Sequence, residues 1–245
     1  MEIIALRPPL QLVLALTVLP FAVASRPAVA QPPSADLLAR LARNSDAFEE
    51  IFERATYTME EEIDGLDGDG KVAERKSIKA HTAWEGTMRH KIVDSCLKDG
   101  KDITATEQEE IRKKEEREGG AKGPRLRSPF LQAEQSSYVF DQTAVDPTDP
   151  ARVEIAFSPK KADTHTVEGS AWVDTASGSV LSAGAKMSKT PMFVDWVHIT
   201  VELGAPTPLG PALSRLTFEA KGGLLFFVHK HVRGEIKFSD YRIAQ

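Results

Sequence analysis

Three histidines have the residue type and the spacing that could hold a metal ion. His229 and His231 lie two positions apart, so on a β-strand their imidazole rings share one face. Two such rings could begin a zinc site, with His198 as the third ligand. In a simple meander, however, the strand of His198 is two places away, roughly 9–10 Å across the sheet. Lys230 and Arg233 add positive charge nearby, so we predict no metal site and no cofactor.

Three further motif-like patterns favour structural roles. Asp67–Gly70 could belong to a calcium loop, but Gly65 and Lys76 stand where the first and last carboxylates are needed. The S-x-x-K matches at Ser95–Lys98 and Ser158–Lys161 fall at predicted strand ends, whereas that motif needs a helix start. The sequence contains no G-x-S-x-G and no H-E-x-x-H pattern. We therefore predict that the protein is not an enzyme, with a hydrolase as a third-ranked alternative.

Apolar and aromatic residues of the C-terminal half carry a more informative pattern. Strand alternation predicts that Val197, Ile199 and Val201 share a face with Phe193, whereas Trp196 lies on the other face. This surface could be ordinary core under a helix, or it could line a cavity for an apolar ligand. The candidate ligand-binding residues are Trp172, Phe193, Val197, Ile199, Val201, Phe218, Phe226 and Phe227.

These residues lie in a long predicted antiparallel meander between Val153 and Arg242. An open sheet of that length would expose an apolar face, so it must curl around something or close. Gly222-Gly223 predicts a two-residue hairpin turn, and Gly204–Pro211 predicts a longer loop. The predicted strands are Val153–Ser158, Thr164–Asp174, Val180–Lys189, Phe193–Gly204, Leu213–Lys221 and Leu224–Ser239.

The N-terminal half supplies a cover for this sheet. Apolar residues recur every three or four positions over Asp36–Arg54, which predicts an amphipathic helix capped by Ser34 or Asp36. A switch to period two then predicts strands at Tyr57–Ile63, Val72–Ala83 and Arg89–Leu97, and later at Tyr138–Thr143. The run Thr104–Glu118 predicts a charged helix with Ile111 as its one large apolar residue, hence a solvated insertion.

Residues 1–30 predict an export signal. Arg7 precedes an apolar run at Leu10–Ala24, and Ala28-Val29-Ala30 fits a cleavage site. Cleavage changes the net charge from −5 to −6, and this acidity disfavours nucleic acid as a partner. The single Cys96 cannot form an internal disulfide, and we expect it to be buried in a strand. We predict a periplasmic or secreted protein with one domain over residues 31–245, and we expect a monomer.

The chain resembles the lipoprotein-carrier-like superfamily. The residues that carry the resemblance are Gly169–Asp174, Ser177–Leu181 and Phe238–Arg242, which ends in a Tyr-Arg pair. That superfamily includes the LolA and LolB carriers, the RseB/MucB regulators and outer-membrane lipoprotein-sorting proteins. The resemblance implies an α+β fold in which a strongly curved antiparallel half-barrel, covered by the N-terminal helix, accepts acyl chains on its concave face. Thr104–Glu118 departs from that pattern as an insertion.

Two functions remain open at this point. The first is a periplasmic carrier that binds a lipid or a lipoprotein acyl chain without catalysis, with peripheral contact to the envelope. The second is a structural or regulatory interaction module whose barrel is filled by its own side chains. A cavity between the meander and the helix Asp36–Arg54 would favour the first function, and a packed interior would favour the second.

Overall fold

A computed structural model describes residues 31–118, 127–224 and 228–243. The predicted signal at 1–30, together with Phe226 and Phe227, lies outside these residues. The helices are α1 (Ala35–Arg54) and α2 (Thr104–Glu118), and a short 3-10 helix spans Gln135–Ser137. The strands are β1 (Ala55–Leu66), β2 (Val72–Glu85), β3 (Met88–Lys98), β4 (Lys101–Asp102), β5 (Tyr138–Val145), β6 (Arg152–Pro159), β7 (Val167–Asp174), β8 (Ser179–Met187), β9 (Val194–Thr207), β10 (Gly210–Leu224) and β11 (Val228–Ile243).

All the described strands form one open antiparallel sheet. Their order is β4-β3-β2-β1-β11-β10-β9-β8-β7-β6-β5. Neighbouring strands are consecutive along the chain except at the centre, where β1 pairs with β11 in a register that places Met59 opposite Phe238. The sequence-based prediction of an α+β fold with a curved antiparallel half-barrel and an N-terminal helix is confirmed. The β1–β11 junction joins the two ends of the chain into a single sheet.

Helix α1 lies on one face of this sheet and takes part in two core clusters. Its predicted cap is confirmed, because the backbone N–H of Leu37 donates to the Ser34 hydroxyl oxygen at 3.2 Å. Leu37 and Leu41 pack in the first cluster, with buried residues of β5, β6 and β7. Ile51 packs in the second cluster, with buried residues of β1, β2 and β3. The helix therefore covers one face of the sheet, which we call the concave face after the half-barrel that the resemblance implies.

The N-terminal half of α1 is held against the β7–β8 turn. Arg40 donates to the carbonyl oxygen of Thr175 at 2.9 Å, and Asn44 donates to that of Ser177 at 3.0 Å. Gly178 has a φ of +72°, and a Cβ at this position would overlap the Cβ of Arg40. A glycine is thus required here both by backbone conformation and by the close approach of the helix.

The C-terminal end of α1 is held by Arg89 of β3. Its Nη1 atom donates to the carbonyl oxygen of Ala55 at 3.0 Å and also to that of Phe52. The guanidinium lies 5.3 Å from the ring centroid of Phe52 and 5.4 Å from that of Tyr57. A cation at a helix C-terminus offsets the unpaired carbonyl dipoles, so Arg89 caps the helix and also packs on aromatic faces.

The prediction that Thr104–Glu118 is a solvated excursion is wrong, because α2 packs along the edge strand β3. Ile111 contacts the second core cluster, and Glu107 and Glu115 are buried. The burial of these carboxylates is compensated, since Glu107 pairs with Lys76 at 2.5 Å and Glu115 with His90 at 2.9 Å. A helix with one large apolar residue can dock when its polar side chains find partners on the sheet.

Those polar side chains also satisfy the free edge of β3. The backbone N–H of Val93 donates to Gln108 at 2.7 Å, and that of Lys91 donates to Glu115 at 3.0 Å. Gln108 returns a bond to the Lys91 carbonyl oxygen at 3.3 Å. Thr104 accepts from the Cys96 backbone at 2.9 Å. Strand β4 pairs only with Leu97 and Lys98 of β3, so helix α2 covers more of this edge, which could otherwise pair with another chain.

Two turn predictions are also corrected. Gly222 and Gly223 do not form a hairpin turn but continue β10, opposite Lys230 and His229 of β11. The segment 204–211 is not a long loop, because β9 runs to Thr207 and β10 begins at Gly210. In both places tertiary strand pairing extends past residues whose local preference is for turns.

Cys96 is fully buried in β3, as predicted. Burial, followed by the charge of Glu107, raises the pKa of its thiol, which favours an unreactive protonated group. Within the described ranges, neither helix is long and apolar enough to cross a membrane.

Candidate functional site

Strands β9, β10, β11 and β1 carry a strip of half-buried apolar side chains on the concave face. Cross-strand register places Ile199 opposite Phe218, and Val201 opposite Leu216. The next pairs continue the same face, with Leu216 opposite Ile236. We call this surface the concave strip, and it consists of Ile63, Val197, Ile199, Val201, Leu216, Phe218, Ala220 and Val232.

The concave strip differs from the two core clusters in its exposure. Among the described residues, buried members of the first cluster lie mainly on β5–β7 and on α1, and those of the second lie mainly on β1–β3. The strip lies between them on β9, β10, β11 and β1, and its side chains are each partly accessible to solvent. A contiguous, partly exposed apolar surface of this kind is typical of a binding face.

The centre of the strip is shaped by a glycine. Phe218 lies opposite Gly234, and a Cβ on Gly234 would lie 2.6 Å from the Phe218 ring. The aromatic ring therefore lies down over the backbone of β11. The ring therefore stays close to the sheet, whereas a larger residue at position 234 would displace it away from the sheet.

Sequence reasoning found half of this surface. Val197, Ile199 and Val201 share the concave strip, as strand alternation indicated, and Phe218, a candidate that the sequence assigned to neither face, lies there too. It missed four residues from neighbouring strands: Ile63, Leu216, Ala220 and Val232. Alternation along β10 and β11 was a usable signal for the last three, but Ile63 could be added only once β1 was known to pair with β11.

Of the other four candidates, the structure describes Trp172 and Phe193, and neither belongs to this strip. Trp172 lies on the opposite face, because its neighbours Ala171 and Val173 are buried in the first cluster. Phe193 precedes β9 in a turn with a φ of +71°, so strand alternation does not extend to it. Phe226 and Phe227 lie outside the described residues.

Charged pairs border the strip on the side of β1, β2 and α2. Glu61 lies opposite Ile236 on the concave face, is buried, and pairs with Lys91 of β3. Lys76 lies opposite Ile63 and pairs with Glu107 of α2. An apolar surface bordered by paired charged side chains can accommodate an amphiphile, whose polar head group contacts the charged groups while its apolar tail lies on the strip.

The outer face of the same strands is polar and forms an open cleft of about 600 Å³. Its charges alternate across the sheet, so that Asp64 accepts from Arg75 at 2.9 Å and from Arg233 at 3.1 Å. The bond from Arg75 is the main reason that the pKa of Asp64 is lowered. Glu235 pairs with Arg215 at 2.8 Å, which likewise lowers the pKa of Glu235. These pairs compensate one another across the strands, as in a solvated sheet face.

The histidines considered as metal ligands also belong to the outer face. His231 bonds to Glu219 at 2.7 Å, and His198 stacks on Trp196 with ring centroids 4.9 Å apart. As predicted, β9 and β11 are separated by β10. The side chain of His229 lies outside the described part of the structure. Among the described residues, no group of three or more His, Cys, Asp or Glu side chains could hold a metal ion.

Comparison with known proteins returns solved structures and no sequence relatives. No family model matches the chain, and no curated protein matches it. A DUF1329 family protein from Desulfovibrio piger is similar, with 13% identity, 87% of this chain and 94% of that chain covered, and a TM-score of 0.40. A domain described as an outer membrane lipoprotein-sorting protein from Vibrio parahaemolyticus has 11% identity, coverage of 84% and 94%, and a TM-score of 0.37.

A third similar structure is that of MucB in complex with MucA(peri). It has 10% identity and a TM-score of 0.26, with 86% of this chain and all of that chain covered. At these identities the likeness concerns the fold alone.

Proposed function

We propose that this protein is a non-catalytic binding protein of the cell envelope, which carries an acylated or otherwise apolar ligand on the concave strip. The observation that carries this proposal is the strip itself: apolar residues from four adjacent strands share one face and remain partly exposed. Each buried methylene group contributes about 0.8 kcal/mol, so an acyl chain lying on this surface would gain several kcal/mol. The predicted export signal supports a location in the envelope, where such ligands occur.

The alternative is an interaction module that holds a protein rather than a lipid. The observation that favours it is that the space beneath α1 is packed, with Leu41 and Ile51 essentially inaccessible to solvent. The helix therefore covers core and not an empty cavity. An extended or helical apolar segment of a partner could occupy the remaining open strip in place of an acyl chain.

The test uses two neighbouring residues of β9 that point to opposite faces. Ile199→Asp places a charge on the strip, whereas Thr200→Asp places the same charge on the exposed outer face. Purified, delipidated protein is incubated with palmitic acid and with dipalmitoyl phosphatidylglycerol, and retained lipid is measured by native mass spectrometry. Urea unfolding of each variant verifies that it is folded.

We expect retained lipid for the parent protein and for Thr200→Asp, and at least about tenfold weaker retention for Ile199→Asp, because a buried charge opposes apolar binding. Equal loss in the two variants would show that the strip is not the binding surface. If the delipidated parent retains neither lipid at any stoichiometry, the carrier proposal is wrong, and a protein partner becomes the better explanation of the strip.

A further inference from the structure

The loop between β8 and β9 exposes two large apolar side chains at one end of the sheet. Met192 is 80% exposed and Phe193 is 50% exposed. Among the described residues, these are the two most exposed large apolar side chains. They lie next to the end of β10, since the backbone N–H of Gly223 donates to the Phe193 carbonyl oxygen at 2.8 Å. We call Pro191–Val194 the apolar tip.

The apolar tip is held in a defined conformation by backbone contacts. The N–H of Val194 donates to the Pro191 carbonyl oxygen at 3.1 Å, which closes the turn. A Cβ on Gly222 would lie 2.5 Å from the Phe193 carbonyl oxygen, so a glycine there permits the loop to approach β10. Phe193 has a φ of +71°, a conformation that bulky residues rarely adopt. Residues held in such sparsely populated backbone conformations cluster at functional sites.

Lysines surround the apolar tip on an otherwise acidic protein. Lys189 precedes it in the same loop, Lys221 precedes Gly222 in β10, and Lys230 lies opposite Gly222 in β11; all three are exposed. Two acidic residues are also close: Asp195 follows the tip in β9, and Asp163 lies near enough to Lys189 for this lysine to help lower the pKa of Asp163. Three lysines against two carboxylates leave this end of the sheet positive on a chain whose net charge is −5. That combination is complementary to an anionic surface.

We propose that the apolar tip docks the protein on the surface of a bilayer that contains anionic lipids. Met192 and Phe193 enter the interfacial region, where an aromatic ring and a thioether are favourably placed, and the lysines contact lipid phosphates. This inference goes beyond the proposed function, because it names the surface at which the protein works and requires no ligand on the concave strip. It also relates the two sites, since Val197 and Ala220 at the end of the strip lie only a few residues from the tip.

Vesicle sedimentation tests the proposal. The full chain is expressed, the purified product is characterised by intact mass so that all variants share one N-terminus, and binding is measured to vesicles of phosphatidylethanolamine with phosphatidylglycerol and to vesicles of pure phosphatidylcholine. Met192→Ser with Phe193→Asn removes the apolar groups, and asparagine tolerates the positive φ. Leu209→Ser is the matched control, because Leu209 is also exposed, at 44%, but lies in the β9–β10 turn at the other end of β9.

We expect the double variant to bind anionic vesicles at least about tenfold more weakly than the parent, because two apolar side chains no longer enter the interface. Lys189→Glu should weaken binding by about fivefold or more, whereas Lys101→Glu in β4, at one edge of the sheet, should not. Leu209→Ser should bind as the parent does. The proposal is overturned if the parent binds neither vesicle type, if it binds phosphatidylcholine equally well, or if the Leu209 control loses as much as the double variant.

The readout is independent of the carrier proposal. Vesicle binding without lipid retention would leave the apolar tip as a docking surface and reject the concave strip as a carrier site. Lipid retention without vesicle binding would support the concave strip as a carrier site and reject the apolar tip as a docking surface. The two proposals therefore fail separately.

Discussion

The backbone N–H of Val93, on the edge strand β3, donates to the side-chain Oε1 atom of Gln108 on α2, 2.7 Å away. Together with the other hydrogen bonds between α2 and β3, this bond attaches a charged helix to the edge of the sheet. The insertion Thr104–Glu118 therefore has a structural role that its composition did not suggest, since its polar side chains bond to the edge in place of a neighbouring strand.

The first prediction concerns this edge. Replacing Gln108 and Glu115 together with alanine leaves the N–H groups of Val93 and Lys91 without their partners. Each unpaired buried donor costs about 1–3 kcal/mol, so we expect the free energy of unfolding in urea to fall by about 2–4 kcal/mol. Light scattering should also show concentration-dependent association through the uncovered edge.

The matched control for the edge is Glu116→Ala. Glu116 lies on the same helix, next to Glu115, but its side chain is 60% exposed and pairs with Arg112 of the same helix. Its removal should change the free energy of unfolding by less than about 0.5 kcal/mol. If the double variant behaves like this control, α2 does not stabilise the edge.

The second prediction separates the two reasons for a glycine at position 178, the positive φ and the close approach of α1. Gly86 and Gly178 both have positive φ, at +60° and +72°. A Cβ on Gly86 meets nothing within 4 Å, whereas one on Gly178 overlaps Arg40. Gly86→Ala should therefore cost about 1–2 kcal/mol of unfolding free energy from backbone strain alone. Gly178→Ala should cost at least about 1–3 kcal/mol more, because α1 must also move.

Chemical denaturation of the two glycine variants and of the parent gives this difference directly. Equal costs would mean that α1 does not approach the β7–β8 turn as closely as the structure shows. A larger cost for Gly86→Ala would contradict the docking of α1 on Gly178 altogether.

The third prediction concerns the C-terminal end of α1. Arg89→Met removes the hydrogen bonds to the carbonyl oxygens of Phe52 and Ala55, at the end of α1, and the cation–π contact with Phe52. We expect a loss of about 2–3 kcal/mol in the free energy of unfolding. Amide hydrogen exchange should be accelerated most in the last turns of α1, because that is where the anchor is lost.

Arg43→Met is the control for Arg89, since Arg43 is exposed on α1. It should leave both stability and exchange nearly unchanged. Uniform acceleration of exchange across the sheet in Arg89→Met would argue that the residue supports the whole core and not the helix end.

The fourth prediction is a pH dependence at the outer cleft. The pKa of Asp64 is lowered in the folded protein, chiefly by its hydrogen bond from Arg75. Its stabilising contribution is therefore present above the ordinary carboxyl pKa near 4 and is lost as the pH falls through the lower folded-state pKa. Asp64→Asn should cost about 0.5–1 kcal/mol at neutral pH. The difference from the parent should shrink as the pH falls below the ordinary carboxyl pKa.

Urea titrations at several pH values give this profile, and added salt provides the check. About 1 M NaCl should reduce the neutral-pH difference, because the two arginines that pair with Asp64 are largely exposed and screened. A difference that persists unchanged at low pH would mean that the Asp64→Asn substitution disturbs packing and not charge.

Local patterns along the chain were sufficient for much of this fold. The 3.6-residue period and Ser34 predicted α1 to within one residue, because caps and amphipathic stripes act over a single turn. Alternation correctly placed Val197, Ile199 and Val201 on one face. Applied to β7, the same rule puts Trp172 on one face of the sheet and Ala171 and Val173 on the other.

Other features were decided only when distant segments met. The pairing of β1 with β11 brings Ile63 into the same row of the sheet as Phe218, and no local signal specifies which strands become neighbours so far apart along the chain. Helix α2 docks because its carboxylates and Gln108 find donors on β3. Gly222 and Gly223 form part of β10 because they pair with residues of β11. The periodicity of apolar residues along one segment determines which of its side chains can share a face. Which segments then come into contact depends on pairing between strands that are distant in sequence, because the free energy of that pairing exceeds the local conformational preference of the residues.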